Sequence, residues 1–415
     1  MRNLTRYAAL GLLGVSVALA ASEIALRAVG VRYSGSTYRA DPRLGWALRP
    51  GAGAWEADEG LAWSRINRHG FRDRDREVKK AEGVYRIAVL GDSLTEARQV
   101  DMDKTFTALT EQALNERHCY DDRRVEVLNF GVPGYGTGQE LIMLRERVWA
   151  FDPDAIVLQV YSGNDIFNNH RALNPSDADM APYFLLHGGQ LELDESFRSG
   201  RALNPAYIAV KSALADITNS SVLLQMLYKL KRVRSQRQTE DAHRDAAVAS
   251  DGPPPEYQRY LAYLPPTLPA MIEAWEVTEA LLVEFDRETA AHRVPWLLMI
   301  LPTSHQIHPD SDVQAAYRAT YHIDSLEYAD DRIEQFARRH GIAVLRVTQS
   351  LLDEARHTGA FMVGFPNTAP NEGHPNERGH QVIARELVRR LCGMPAATDT
   401  LADRTWPRTE DRREH

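Results

Sequence analysis

Five short apolar runs, each cut off at a glycine or a turn, constrain this 415-residue chain more than any other feature. Arg86-Ile87-Ala88-Val89-Leu90 stops at Gly91, Val125 to Phe130 stops at Gly131, and Ala155 to Val160 stops just before Gly163. Trp296 to Ile300 and Ile342 to Leu345 complete the set. Such runs read as strands covered on both faces, the habit of parallel sheets. Apolar residues recur at helical spacing around them: Phe106, Leu109, Ala113 and Leu114 after the first, and Leu141, Leu144 and Val148 after the second. Ala274, Val277, Leu281 and Phe285 precede the fourth, Ile333 and Phe336 the fifth, and Val382, Ile383, Leu387 and Leu391 close the series. Alternating strand and helix predict an α/β fold around a parallel sheet of about five strands.

Open α/β sheets hold their ligands beyond the carboxyl ends of the strands. Three sequence blocks fall there. Gly91-Asp92-Ser93-Leu94 follows the first strand, Gly163-Asn164-Asp165 the third, and His374-Pro375-Asn376 lies past the fifth, before the last helix. Alone, Asp92 and Ser93 read as turn and cap residues. Together the blocks supply a nucleophile, an amide donor and a base, the parts of an acyl-transfer site that needs no metal or cofactor. A serine hydroxyl is a weak nucleophile near neutral pH, and a histidine can take and return its proton. A glycine backbone N–H and a side-chain amide can then steady the oxyanion.

The order and spacing of these blocks resemble the SGNH, or GDSL, hydrolase superfamily of serine esterases and acyltransferases, over roughly residues 84 to 392 with an insert at about 166 to 270. The resemblance implies a flavodoxin-like doubly wound sheet, with Ser93 as nucleophile and His374 as its base. It also implies an oxyanion hole made of the backbone N–H groups of Ser93 and Gly131 and the side chain of Asn164. One position departs from the pattern: where the family carries an aspartate three residues before the histidine, this chain has Asn371. The expected replacement is Glu372, with a carboxylate from another loop or a Ser-His dyad as the alternatives. His305 and His308 follow the fourth strand and so fall on the same rim, and His380 falls in a helical register. No HExxH, paired CxxC or GxxxxGK[ST] occurs, so neither a metal site nor a nucleotide cofactor is expected.

The chain begins with Arg2 and Arg6 ahead of an apolar stretch from Tyr7 to Ala21, followed by Ser22, Glu23 and Ile24-Ala25-Leu26. This is either a cleavable signal peptide ending at Ala18-Leu19-Ala20 or a membrane anchor over residues 1 to 30, and the anchor is the expectation. Either way the arginines put the N-terminus in the cytoplasm and the remainder outside it, periplasmic if anchored and secreted if cleaved. Export makes a Cys119 to Cys392 disulfide the expectation, with two free thiols as the alternative, since each closes a helix and, in the fold the resemblance implies, those helices share a face and run in the same direction.

Residues 32 to 80 hold Trp46, Trp55 and Trp63 among glycines and prolines, and predict a small β-rich or irregular lobe. In the insert, Leu223, Met226, Leu227, Leu230 and Val233 mark an amphipathic helix bearing Lys229, Lys231, Arg232 and Arg234. Its alternatives are a membrane surface, a cap on the site, or packing on the core with a solvated basic face. Gln236 to Pro255 reads as a polar loop and residues 393 to 415 as a polar tail. A formal net charge of −8 with no basic block argues against nucleic acid as a partner. The expected substrate is a small acyl ester, such as an O-acetyl group on an envelope polysaccharide. An acyltransferase using the same serine is the first alternative, and a non-catalytic glycan-binding protein, suggested by Asn371, is the second.

Overall fold

The structure is a computed structural model that describes residues 2–200, 203–235 and 255–392. The segments read as a polar loop, apart from its last residue, and as a polar tail lie outside the described residues. Helix α1 (Arg2–Ala28) leads, and two antiparallel hairpins follow, β1 (Tyr38–Asp41) with β2 (Gly45–Leu48) and β3 (Gly53–Glu56) with β4 (Ala62–Arg65). The main sheet begins with β5 (Val84–Gly91), the short α2 (Ser93–Glu96), α3 (Phe106–Glu116) and β6 (Arg124–Gly131). It continues through α4 (Thr137–Glu146), β7 (Ala155–Tyr161) and α5 (Asp165–Asn168). The insert contributes a hairpin of β8 (Tyr183–His187) and β9 (Gln190–Asp194), then α6 (Pro205–Ser220) and α7 (222–235). α8 (Pro269–His292) leads to β10 (Trp296–Leu301), α9 (Ser311–Tyr321), α10 (Tyr328–Arg339), β11 (Val344–Arg346), α11 (Thr348–Thr358) and α12 (Glu377–Leu391).

The five sheet strands lie in the order β6-β5-β7-β10-β11, all parallel, which is the flavodoxin-like doubly wound arrangement. Alternation along each strand divides the interior into two layers. Ala88, Leu90, Ile156, Leu158, Leu298 and Ile300 face one core with α4, α8 and α10; Tyr85, Ile87, Val89, Val157, Leu297 and Met299 face the other with α3, α11 and α12. The last strand is shorter and later than the sequence pattern suggests. Ile342 and Ala343 are buried ahead of it, and as an edge strand it pairs with β10 alone through three residues.

Residues 32–80 fold back onto the first core: Leu44, Leu48, Ile66 and Phe71 belong to that cluster, and Phe71 meets Phe130 edge-on at 4.5 Å. The tryptophans pack and bond locally, Trp55 against Trp63 at 5.5 Å and Trp46 donating its indole N–H to Pro133 O at 2.9 Å. The strongest tie is Arg72, which is buried. It donates to Ser64 Oγ and to the carbonyls of Glu96, Ala97 and Val100, so the lobe grips the backbone at the end of α2. Burial lowers its pKa to about 10, which still leaves the guanidinium charged near neutral pH.

Residues Thr5–Ala28 are long and apolar enough to cross a membrane, and none of that stretch is buried in the protein. At the far end of the fold, Cys119 and Cys392 form a disulfide with a Cα separation of 4.9 Å. Tyr120 beside it donates its hydroxyl to Leu391 O at 3.0 Å, so the ends of α3 and α12 are joined twice.

The bridge closes a loop of 273 residues, and its chief effect is to restrict the unfolded chain. A Cys119→Ala/Cys392→Ala variant is expected to lose about 2–5 kcal/mol of stability. Thermal melting of wild type with and without reductant checks this: a midpoint unmoved by reductant would mean the pair is not bridged in solution.

Candidate active site

β5 ends at Gly91 and the chain turns at once into α2. Asp92 caps that helix, its Oδ1 accepting from the Leu94 N–H at 2.9 Å, and this fixes Ser93 at the first helical position, half-buried at the rim. The other Asp92 oxygen accepts from Asn164 Nδ2 at 2.9 Å. One amide hydrogen of Asn164 is thereby anchored to the residue before Ser93, and the second remains for another acceptor. Buried Gln159 braces the turn from β7, its Oε1 accepting from Thr95 Oγ1 at 2.8 Å.

His374 reaches the same rim from the loop before α12. Its Nε2 lies 2.8 Å from Ser93 Oγ. Its Nδ1 lies 2.6 Å from Glu59 Oε2, and its backbone N–H donates to Glu59 Oε1. The carboxylate on the His374 ring is thus not Glu372, which is exposed and makes no hydrogen bond or ion pair with His374 among the described residues. The residue sequence reasoning missed is Glu59, on the turn between β3 and β4. Asn371 is also accounted for. Its φ of +59° lies in the left-handed region that asparagine tolerates, and its buried amide donates to Ser304 O at 2.9 Å, away from the histidine. No signal of local spacing could have found Glu59, since it stands 315 residues before its partner.

Glu59 is held from two sides. Gly373, at φ +94°, gives it room, because a Cβ there would run into the Glu59 carboxylate. Asn367 clamps the turn by accepting from Gly60 N–H at 2.9 Å and donating to the carbonyls of Ala57 and Gly60. Burial by itself would push the Glu59 carboxyl up. The hydrogen bonds from the His374 ring and backbone, with the charge of Arg98 nearby, outweigh it and hold the group below the usual glutamate value. An ionised carboxylate only accepts, so the His374 proton sits on Nδ1 and Nε2 is left to accept from the Ser93 hydroxyl.

Gly131 is placed differently from the expectation. Its N–H is already taken by Asn129 Oδ1 at 2.9 Å, and a Cβ there would collide with the backbone of Thr95 and Glu96. The glycine lets β6 approach α2, and its amide is engaged by the Asn129 side chain. Three residues on, Gly134 has φ +77°, and neither its N–H nor that of Ser93 makes a hydrogen bond among the described residues. Gly138 donates to Asn169 Oδ1 at 3.0 Å, joining α4 to α5. His305 stacks on Tyr317 at 3.8 Å and His308 packs near Phe361, while His380 is buried and accepts from the Phe106 N–H. Burial drives His380 down to about 3, so it stays neutral. Behind the nucleophile lie Asp92, Glu140 and Asp165. Burial raises all three, and mutual repulsion holds Glu140 and Asp165 well above the usual carboxylate range. Among the described residues no group of three or more Cys, His, Asp or Glu is arranged to share a metal ion.

Solved structures similar to this chain include an alpha/beta hydrolase from the metagenome of Lake Arreo, Spain, at 16% identity over 76% of this chain and 97% of that one, with a TM-score of 0.37. A lipolytic protein of the G-D-S-L family from Veillonella parvula matches at 15% identity over 74% and 97%, with a TM-score of 0.33. An acetylxylan esterase from Geobacillus stearothermophilus matches at 13% identity over 75% and 95%, with a TM-score of 0.38. No protein-family model matches the sequence, and no curated protein matches it.

A carboxyl whose pKa is lowered on folding contributes stability above its unfolded value, 4.5 for Glu59, and that contribution is lost as pH falls through the lowered folded value. Melting of wild type and Glu59→Gln between pH 7 and pH 3 is therefore expected to give curves that converge in acid. Parallel curves across the range would mean that the carboxylate is not held by His374.

Proposed function

We propose that this chain is a serine esterase of the SGNH type, acting through a Ser93 acyl-enzyme. The observation that carries the reading is the unbroken hydrogen-bonded series from Ser93 Oγ through the His374 ring to the Glu59 carboxylate, set at the carboxyl edge of the sheet. His374 Nε2 takes the hydroxyl proton as Ser93 Oγ attacks the ester carbonyl carbon. The carbonyl π electrons move to oxygen, and the oxyanion is met by the Ser93 N–H, the free hydrogen of Asn164 and the N–H of Gly134, which takes the role first read for Gly131. The imidazolium, steadied by Glu59, returns its proton to the departing alkoxide as the tetrahedral intermediate collapses to the acyl-enzyme. Water then attacks that acyl carbon with the same base, releasing the acid and restoring Ser93. Glu59 keeps its charge throughout and fixes the tautomer and ring orientation.

A small O-acyl ester, with an acetyl group on an envelope polysaccharide as the leading candidate, is the substrate we infer. A groove of about 400 Å³ beside the His374 loop supports a glycan, because it pairs the rings of Phe361 and Phe365 with the polar groups of Gln99, Asp101 and Arg378. Glu59 supplies the carboxylate whose absence at Asn371 motivated a non-catalytic reading. We read α1 as an anchor that holds the domain outside the cytoplasm, which expects the protein to stay with membranes under alkaline extraction.

Hydrolysis of a short-chain chromogenic acetyl ester tests the assignment. Ser93→Ala and His374→Ala are each expected to lower kcat by about a thousandfold or more, and Glu59→Gln by about a hundred to ten thousandfold. Asn164→Ala should cost about 3 kcal/mol of transition-state stabilisation. Glu372→Gln should stay within about twofold of wild type, as expected of an exposed residue outside the site. Equal losses in Glu59→Gln and Glu372→Gln, or an active Ser93→Ala, would overturn the assignment.

A further inference from the structure

Helix α6 is amphipathic the wrong way round for a helix in water. One side of it is tied to the protein by polar contacts: the Ser212 backbone carbonyl accepts from Arg49 at 2.8 Å, Asp216 pairs with Arg49 at 2.6 Å, and Asn219 exchanges hydrogen bonds with both backbone groups of Ser36. Its apolar residues face out. Tyr207, Val210, Leu214 and Ile217 recur at helical spacing on the opposite side and are 43–59% exposed. The next helix repeats the pattern. In α7, Gln225 donates to Asn219 O and Lys229 and Arg232 pair with Asp58, while Leu224, Leu227, Tyr228 and Leu230 are exposed. A folded domain spends no hydrogen bonds on turning two apolar stripes outward unless something apolar covers them.

The corner between these helices is also where α1 ends. Glu23 accepts from Ser221 Oγ at 2.9 Å, from Val222 N–H at 3.0 Å and from Leu223 N–H at 2.9 Å, so it caps α7 from another helix. Arg27 donates to Ser220 O at 2.6 Å and pairs with Glu23. The two charges in the last turns of an otherwise membrane-competent helix are thus consumed by this corner. They fix it at the level where the apolar span gives way to water. Lys211, Lys231 and Arg234 are exposed on the same two helices, suited to anionic headgroups.

From this we infer that the α6–α7 corner is a membrane-docking surface, its exposed apolar residues lying in the interface of an anionic phospholipid bilayer. The inference rests on the reading of α1 as a membrane anchor. It adds a second contact that sets the height and tilt of the catalytic domain over the bilayer, where a single helix would leave it free to swing.

The test uses the full chain reconstituted into phosphatidylethanolamine/phosphatidylglycerol vesicles. Both native cysteines are held in the disulfide, so single cysteines at Val210, Leu214 and Leu227 can carry an environment-sensitive fluorophore, with Gln112 on α3 as a reference. Blue-shifted emission at the three sites, quenched by lipid-borne nitroxide and insensitive to iodide, is the expected result. Labels that respond as the Gln112 label does would overturn the proposal, as would labels shielded from iodide but untouched by the lipid quencher, which would mean that protein covers the face. Alkaline extraction of the same vesicles separates the two ideas. Protein that is extracted yet lipid-quenched beforehand defeats the anchor and keeps the surface; protein that resists extraction with water-exposed labels defeats the surface alone.

Discussion

The contact between Glu59 and His374 joins the β3–β4 turn to the loop before the last helix, and the geometry at Ser93 depends on it. The acid rides on a hairpin turn whose attachment to the sheet is made elsewhere: by Arg72 gripping the backbone after α2, by Asn367 clamping Ala57 and Gly60, and by Phe71 packed on Phe130. A carboxylate aimed at an imidazole must be held to within a fraction of an ångström to be useful, and a lone turn in water is not so stiff. Burying the lobe's apolar face in the first core supplies that stiffness.

Much of this was legible in the sequence because it is local. The five strand runs, the helices after them and the Ser93 and His374 turns follow from patterns a few residues long, and the disulfide from the fold that the family resemblance implies. Glu59 was not legible, because its role depends on where a separate hairpin docks, and an acidic residue in a Gly-rich turn looks like any solvated one. Asn371 shows the converse. Its position suggested a lost catalytic acid, but its positive φ and its bond to Ser304 make it a conformational residue, and the carboxylate on the His374 ring comes from another part of the chain. Gly131 was read one step too simply: a glycine after a strand can be needed for its missing Cβ as well as for its N–H, and here the packing against Thr95 and Glu96 decides. The β8–β9 hairpin, α9 and α11 escaped notice because none has a long periodic run.

Electrostatically the site is divided by the sheet edge. On the solvent side, Glu59 is held low by a histidine and an arginine; on the buried side, burial raises Asp92, Glu140 and Asp165, and neighbouring carboxylates push Glu140 and Asp165 further. Only Asp92 among the three is tied to the nucleophile turn, through Leu94 and Asn164. The Glu59 carboxylate behind the histidine favours an imidazolium there.

Adjacent residues on the β3–β4 turn face opposite ways, Asp58 toward Lys229 and Arg232 of α7 and Glu59 toward His374. The smallest piece of this chain that could work as a complete enzyme therefore does not coincide with the sheet and its helices. A segment cut to begin at β5 would keep Ser93, His374 and all five strands of the main sheet, and would leave Glu59 behind with the discarded turn.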